Sequence, residues 1–393
     1  MTVPSIFIVA AEKSGDELGA KLVMALKKSN SDGIKLGAVG GSALAAQGLV
    51  SDIDISPLSI LGFTEGLKAY PVILDRVRQV SDLIMEVKPD AVILIDSWGF
   101  MIRVAKSLKK RGFEGQIIKY VAPQVWAMRE GRSRILAENV DHLLTIHDFD
   151  AEYFTRHGLP TYYVGNPVFD QSYDTGNAEG LRKDYDIKAA QPVLALLFGS
   201  RLSEIQKLAR PFADAVARLK AEIPDLVIVS PVSDTIATDV HAAASEHPAL
   251  QDVILLGENR KLDCFAAADA AIACSGTVTT QLASAGVPTV VGYKLNTLTY
   301  LVAKRLFKPD YISMVNIAAD QTLMPEFMQG DCEGINLAEA AMVYLLDEKA
   351  RDDASTALKS AVAKMKSGND EETANASSSD RTAAAVLEIL KNG

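Results

Sequence analysis

Residues 271–294 read AIACSGTVTTQLASAGVPTVVGYK: a buried strand, a tight turn, a short helix and a second buried strand in direct succession. The apolar run 271–274 leads into the hydroxyl-rich turn Ser275-Gly276-Thr277, and Gly286 with Pro288 closes the helix before the apolar run 289–293. This is a βαβ unit. Its turn directs backbone N–H groups and the positive end of a helix dipole beyond the strand ends, where a phosphate or pyrophosphate is favoured. A plain helix start capped by Ser275 or Thr277 fits the same residues. A counterpart upstream tips the balance: the apolar strand 193–198 runs into Gly199-Ser200-Arg201 and a helix over 203–223. Two such turns in one half of the chain, one carrying an arginine suited to bidentate phosphate contact, indicate a nucleotide-diphosphate pocket.

The N-terminal half alternates strands at 5–11, 34–39, 91–95, 116–121, 142–146 and 162–164 with helical stretches. The turn Glu12-Lys13-Ser14-Gly15-Asp16 before a helix over 18–28 is a second candidate anion cradle, equally readable as a capped helix start. Gly40-Gly41 permits a tight turn or the close approach of a ligand. Asp96 closes the strand 91–95, where a carboxylate can cap a turn. The segment 58–69, LSILGFTEGLKA, reads either as buried packing or as an apolar loop facing lipid through Ile60, Leu61 and Phe63. The C-terminal half repeats the alternation with strands at 193–198, 226–232, 253–256, 271–274, 289–293 and 311–316. The pattern predicts an α/β protein of two doubly wound, Rossmann-like domains facing a central cleft, with ligands at the carboxyl ends of the strands. The expected divisions are 1–165, a linker over 166–191, 192–367, and a flexible stretch with a final helix over 368–393 that packs back on the first domain.

At 393 residues the chain exceeds one ordinary core, and 48% apolar with 23% charged residues describes a globular protein. A net charge of -10 argues against nucleic acid as a partner. Cys264, Cys274 and Cys332 lack metal-ligand spacing and read as reduced core thiols, with no zinc site. The first strand has no basic region ahead of it and is not a signal peptide. No apolar run approaches the ~20 residues of a membrane span.

The motifs AAEKSGDELGA, LSILGFTEGL, IDSWGF, YVAPQVWAMREGR, YVGNP, LLFGSRLSEI, SGTVTTQLASAGVPTVVGY, AKRLFKPDYISMVNIAA and PEFMQGDC follow one another from end to end. In that order they resemble the lipid-A-disaccharide synthases, a family of GT-B glycosyltransferases. The resemblance implies transfer from a UDP-2,3-diacylglucosamine donor to a 2,3-diacylglucosamine 1-phosphate acceptor through a β-1,6 bond, with inversion, release of UDP and no metal or other cofactor. It also implies a peripheral protein on the cytoplasmic face of the inner membrane. Asp96 matches the first aspartate of the family's Asp-Ala-Pro-Asp-Phe motif and becomes the candidate base. Arg201, with Gly199 and Ser200, would hold the pyrophosphate together with Ser275, Gly276 and Thr277. Ser14, Gly15 and Asp16 match the family's Ser-Gly-Asp turn; Gln281 stands where a ribose-binding Glu is usual, and Asn316, Glu326 and Gln329 match the C-terminal pattern.

Several positions depart from that pattern and mark a divergent member. Trp98 and Gly99 replace Pro and Asp after Asp96, Phe198 replaces the Pro before Gly199, and Asn166 replaces a His. Met128 replaces a Trp, and Asp320-Gln321 replaces a Gly-Arg pair, which substitutes an anion for a fixed cation. Two other readings fit the same residues: a UDP-sugar enzyme on an unacylated substrate, and a catalytically silent UDP-sugar-binding protein. Lys106, Lys109, Lys110 and Arg111, and the amphipathic segment 299–307 with Lys304, Arg305 and Lys308, are candidate contacts to an anionic membrane surface, the first group also being readable as a solvated helix face. The sequence leaves the oligomeric state open, a homodimer included.

Overall fold

The structure, a computed structural model, describes residues 3–29, 33–55, 66–127, 129–296, 300, 305, 307, 309–367 and 376–392. Met128, Lys304, Lys308, most of the segment 299–307, the stretch 368–375 and the residues 56–65, which include Ile60, Leu61 and Phe63, lie outside the described residues. The chain forms two compact units, Met1–Asp170 with Ser367–Gly393, and Gln171–Lys366.

In the first unit, apolar runs buried on both faces form a parallel sheet, as strands sandwiched between helices must. Its strands are β1 (Ser5–Ala10), β2 (Lys35–Val39), β3 (Ala91–Ile95), β4 (Gln116–Tyr120), β5 (His142–Thr145) and β6 (Thr161–Tyr163), in the order β2-β1-β3-β4-β5-β6. Alternation within β1 divides the core: Ile6 and Ile8 pack with Leu22, Leu26, Val386 and Ile389, whereas Phe7 and Val9 pack with Val80, Ile84, Met101 and Val104. The first face is covered by the helices Lys13–Ser29 and Ser378–Asn392, and the second by Gly66–Val87 and Trp98–Lys110.

The second unit holds β7 (Val193–Leu197), β8 (Val227–Val232), β9 (Ile254–Gly257), β10 (Ala270–Cys274), β11 (Thr289–Tyr293) and β12 (Glu326–Met328), all parallel, in the order β12-β11-β10-β7-β8-β9. The βαβ unit over 271–294 is present as β10, the helix Thr277–Ala285 and β11, closed by Gly286 at φ 76°. Both sheets are doubly wound and Rossmann-like.

Two local expectations are corrected. No strand forms over 311–316: Ser313 caps a helix, Met314–Ala319, by accepting from the Asn316 N–H. The N–H groups of Ile312 and Ser313 go to the Glu326 carboxylate instead of a strand partner. The outermost strand is β12, paired with β11. At the N-terminus the helix begins at Lys13 and not near residue 18, so Ser14, Gly15 and Asp16 lie in its first turn. The stretch read as a linker, 166–191, holds the short helix Ala178–Asp184, whose Asp184 is bridged by Arg260.

Candidate functional site

Strand order reverses between β1 and β3 in one sheet and between β7 and β10 in the other, and ligands of open α/β sheets bind at such switch points. The singled-out turns follow these four strands. In the second unit Gly199, Ser200, Arg201, Ser275, Gly276, Thr277 and Gln281 line one cavity of about 430 Å³. Arg201 and Ser275 are therefore on the same side of their sheet.

Gly199 has φ 110°, and a Cβ there would collide with the side chain of Glu204 and come 3.2 Å from Cys274 Sγ; only glycine fits. Glu204, one turn into the helix Leu202–Glu222, accepts from the backbone N–H groups of Ser200 (2.8 Å) and Arg201 (3.2 Å) and pairs with the Arg201 guanidinium at 3.1 Å. The first of the two turns thus spends those two N–H groups on its own carboxylate, contrary to the free cradle expected from sequence. Arg201 itself keeps a side chain 75% exposed. At the other turn Gly276 is the N-cap without a side-chain cap, and Ser275 Oγ donates to the Ile312 carbonyl. Gly276 and Thr277 are exposed at a helix N-terminus. Lys261, paired with Glu258 at 2.7 Å, lines the same cavity and brings a second cation that the sequence reading missed.

Asn316, Glu326 and Gln329 do not line it. Asn316 is fully buried; its amide nitrogen donates to the Met324 carbonyl and to Glu326, and its oxygen accepts from Leu323 and Met324. With those bonds made, Asn316 and Glu326 brace the segment that Ser275 contacts. Gln329, at φ 50°, buries an amide nitrogen that has no acceptor among the described residues.

In the first unit Ser14 Oγ lies 3.4 Å from Asp96 Oδ2, joining the ends of β1 and β3. Gly15 is buried in the first helical turn beside the end of β3, where a Cβ would make ordinary contact with Ile95 Cγ2 at 3.5 Å, so the fold alone does not require glycine there. Asp16 turns away from this pair. Its buried carboxylate accepts from the N–H groups of Gly41, Ala43 and Leu44, so what approaches Gly40-Gly41 closely is a side chain of the protein. Asp96 and Ser97 both sit in the left-handed region, φ 50° and 37°, a strain that collects at functional sites. Trp98 lies under Arg132, whose guanidinium is 5.2 Å from the indole, and Gly99 is exposed.

Sequence reading also passed over Lys119, whose only signal was a charge inside the apolar run of β4. Burial pushes its ammonium down to about 7, opposed by the charge of Asp96. The unfolded chain holds this proton up to the ordinary lysine range, so burying the charge costs stability in full below about 7. That cost fades as pH rises toward 10.5.

A family model described as lipid-A-disaccharide synthetase matches residues 6–379. A lipid-A-disaccharide synthase of Paramagnetospirillum magneticum is 37% identical over 390 residues, 99% of this chain and 98% of that one. One from Rhodospirillum centenum is 38% identical over 348 residues, 88% and 86% of the two chains. Among solved structures, S. aureus MnaA with UDP superposes with a TM-score of 0.63 at 14% identity, covering 99% of this chain and 97% of that one. UDP-GlcNAc 2-epimerase from Neisseria meningitidis bound to UDP-GlcNAc gives 0.61 at 11% identity, with all of both chains covered. At these identities the structural likeness is one of fold.

Proposed function

The chain belongs to the lipid-A-disaccharide synthase family and is a hexosyltransferase of lipid A biosynthesis; on that premise we propose how its two switch points divide the reaction. The second unit binds the donor, UDP-2,3-diacylglucosamine. The observation that carries this is the cavity shared by Arg201 and the Ser275-Gly276-Thr277 helix start, a cation and a helix N-terminus on one space. The first unit supplies the base. Asp96 takes the proton of the acceptor's 6-hydroxyl as that oxygen attacks the anomeric carbon. The bond to the UDP oxygen breaks, its electron pair leaves with UDP, and the configuration inverts. Arg201 and the helix N-terminus offset the charge that grows on the diphosphate.

Incubating the protein with UDP-2,3-diacylglucosamine and 2,3-diacylglucosamine 1-phosphate should release UDP in step with disaccharide 1-phosphate, read by mass spectrometry. Turnover of unacylated UDP-sugar at an equal rate would instead favour the soluble-substrate reading.

Membrane contact is part of the same proposal, since both substrates carry acyl chains. Among the described residues no helix is long and apolar enough to cross a membrane. Tyr70, Val72 and Leu74, exposed by 46%, 40% and 44%, follow directly on the apolar segment 58–69 and support peripheral contact with a membrane surface, which the family resemblance implies is the cytoplasmic face of the inner membrane. Val72→Glu with Leu74→Glu should reduce co-sedimentation with anionic liposomes several-fold; undiminished binding refutes the contact.

A further inference from the structure

We propose that Lys119 is a positioning residue for proton transfer, clamping the strained strand end from which Asp96 projects; the inference rests on the assignment of Asp96 as base. Lys119 is 2% exposed in the middle of a parallel sheet, where a lysine is rarely fully buried without a carboxylate partner. Among the described residues it forms no ion pair. Its ammonium donates instead to two main-chain carbonyls, that of Asp96 at 2.8 Å and that of Tyr120 at 2.9 Å. The Asp96 N–H donates to the same Tyr120 carbonyl at 2.9 Å. Both polar groups of the Asp96 residue backbone are thereby tied to β4, one directly and one through the lysine.

The tie falls where the backbone most needs it. Asp96, Ser97 and Val121 all have positive φ, 50°, 37° and 69°, and Val121 is β-branched, for which that region is a genuine outlier. Such conformations persist only where surrounding structure holds them. In the register of the sheet Lys119 stands opposite Leu94, two residues before Asp96, so an extended side chain reaches the carbonyl of Asp96 just beyond the strand. An apolar residue of similar volume would cost the core less than a buried charge does. A site that gives up stability in this way is a mark of function, and the group Lys119 holds is the residue that carries the Asp96 carboxylate.

Steady-state kinetics, UDP binding and thermal melts of full-length Lys119→Met test this. The expected result is a fall in kcat of about 10- to 100-fold, as for a displaced catalytic group, with KM for both substrates and UDP affinity within about twofold. Tm should be unchanged or higher. Adding Ser97→Gly should restore part of the lost kcat, because glycine holds a left-handed backbone without help. Wild-type kcat in Lys119→Met alongside an inactive Asp96→Asn overturns the inference and leaves the base assignment standing; an active Asp96→Asn overturns the base assignment. A lowered Tm with raised KM marks a merely structural lysine and also overturns it. If Lys119→Met does not fold, Lys119→Gln is read for the same split, and failure of both to fold counts against the proposal.

Discussion

Asp96→Asn should lower turnover by about 10²–10⁴-fold, the loss typical of a removed general base, and leave UDP affinity at its wild-type value. The substitution keeps the size of the side chain and the hydrogen bond from Ser14 Oγ, so the strand end need not move. Only the capacity to take a proton disappears. UDP binding is unaffected on this reading because the diphosphate contacts belong to the second unit. Kinetics and calorimetry on one preparation decide it. Turnover near wild type would move the base elsewhere, and the geometry already narrows where: Asp16 spends its carboxylate on three backbone N–H groups, whereas Glu12 is exposed beside it.

Arg201→Ala should weaken UDP binding and slow the chemical step together. A hydrogen bond to a charged group contributes about 1.5–3 kcal/mol, which corresponds to roughly 10- to 100-fold in UDP affinity. The charge on the departing diphosphate grows toward the transition state, so kcat should fall by a further ~10²-fold or more. Fold stability should hardly change, because the Arg201–Glu204 pair is mostly exposed on the arginine side and exposed pairs contribute little. Unchanged affinity and rate would remove Arg201 from the donor site. A loss of affinity alone would make it a binding residue with no share in catalysis.

Long parallel strands were legible because burial on both faces forces continuous apolar runs; β1, β3, β7 and β10 follow those runs to within a residue or so. The Gly199 turn was legible for a related reason, since its positive φ requires glycine, and so was the end of the helix Thr277–Ala285, which Gly286 closes at φ 76°. What escaped was set by contacts distant in sequence. The run 311–316 has strand-like residues, yet its backbone donors are taken by Glu326, more than ten residues downstream. β12 is three residues long and follows Pro325, too short for any periodicity to show. Asp16 and Asn316 stand at motif positions, but nothing local distinguishes a carboxylate or amide aimed at ligand from one consumed in bracing its neighbours. Lys119 was visible only as an anomaly, a charge where β4 should be apolar.

The helix Ser378–Asn392 packs on Lys13–Ser29, and Ser378 binds Asp170 through both its N–H and its hydroxyl. The unit that carries Asp96 therefore contains both ends of the described chain. During synthesis its six strands emerge first, yet one face of that sheet has only the helix Lys13–Ser29 over it, and lacks the second covering helix, until the whole second unit has been made. At about 5–20 residues per second the wait is roughly 10–40 s, during which Ile6, Ile8 and Leu22 have no partner in Val386 or Ile389. The donor-binding unit, contiguous from Gln171 to Lys366, faces no such delay. Nascent chains of this protein thus pass through a stage in which the second half can be native while the first still exposes apolar surface to chaperones, and a stop codon near the end would disable the half translated first.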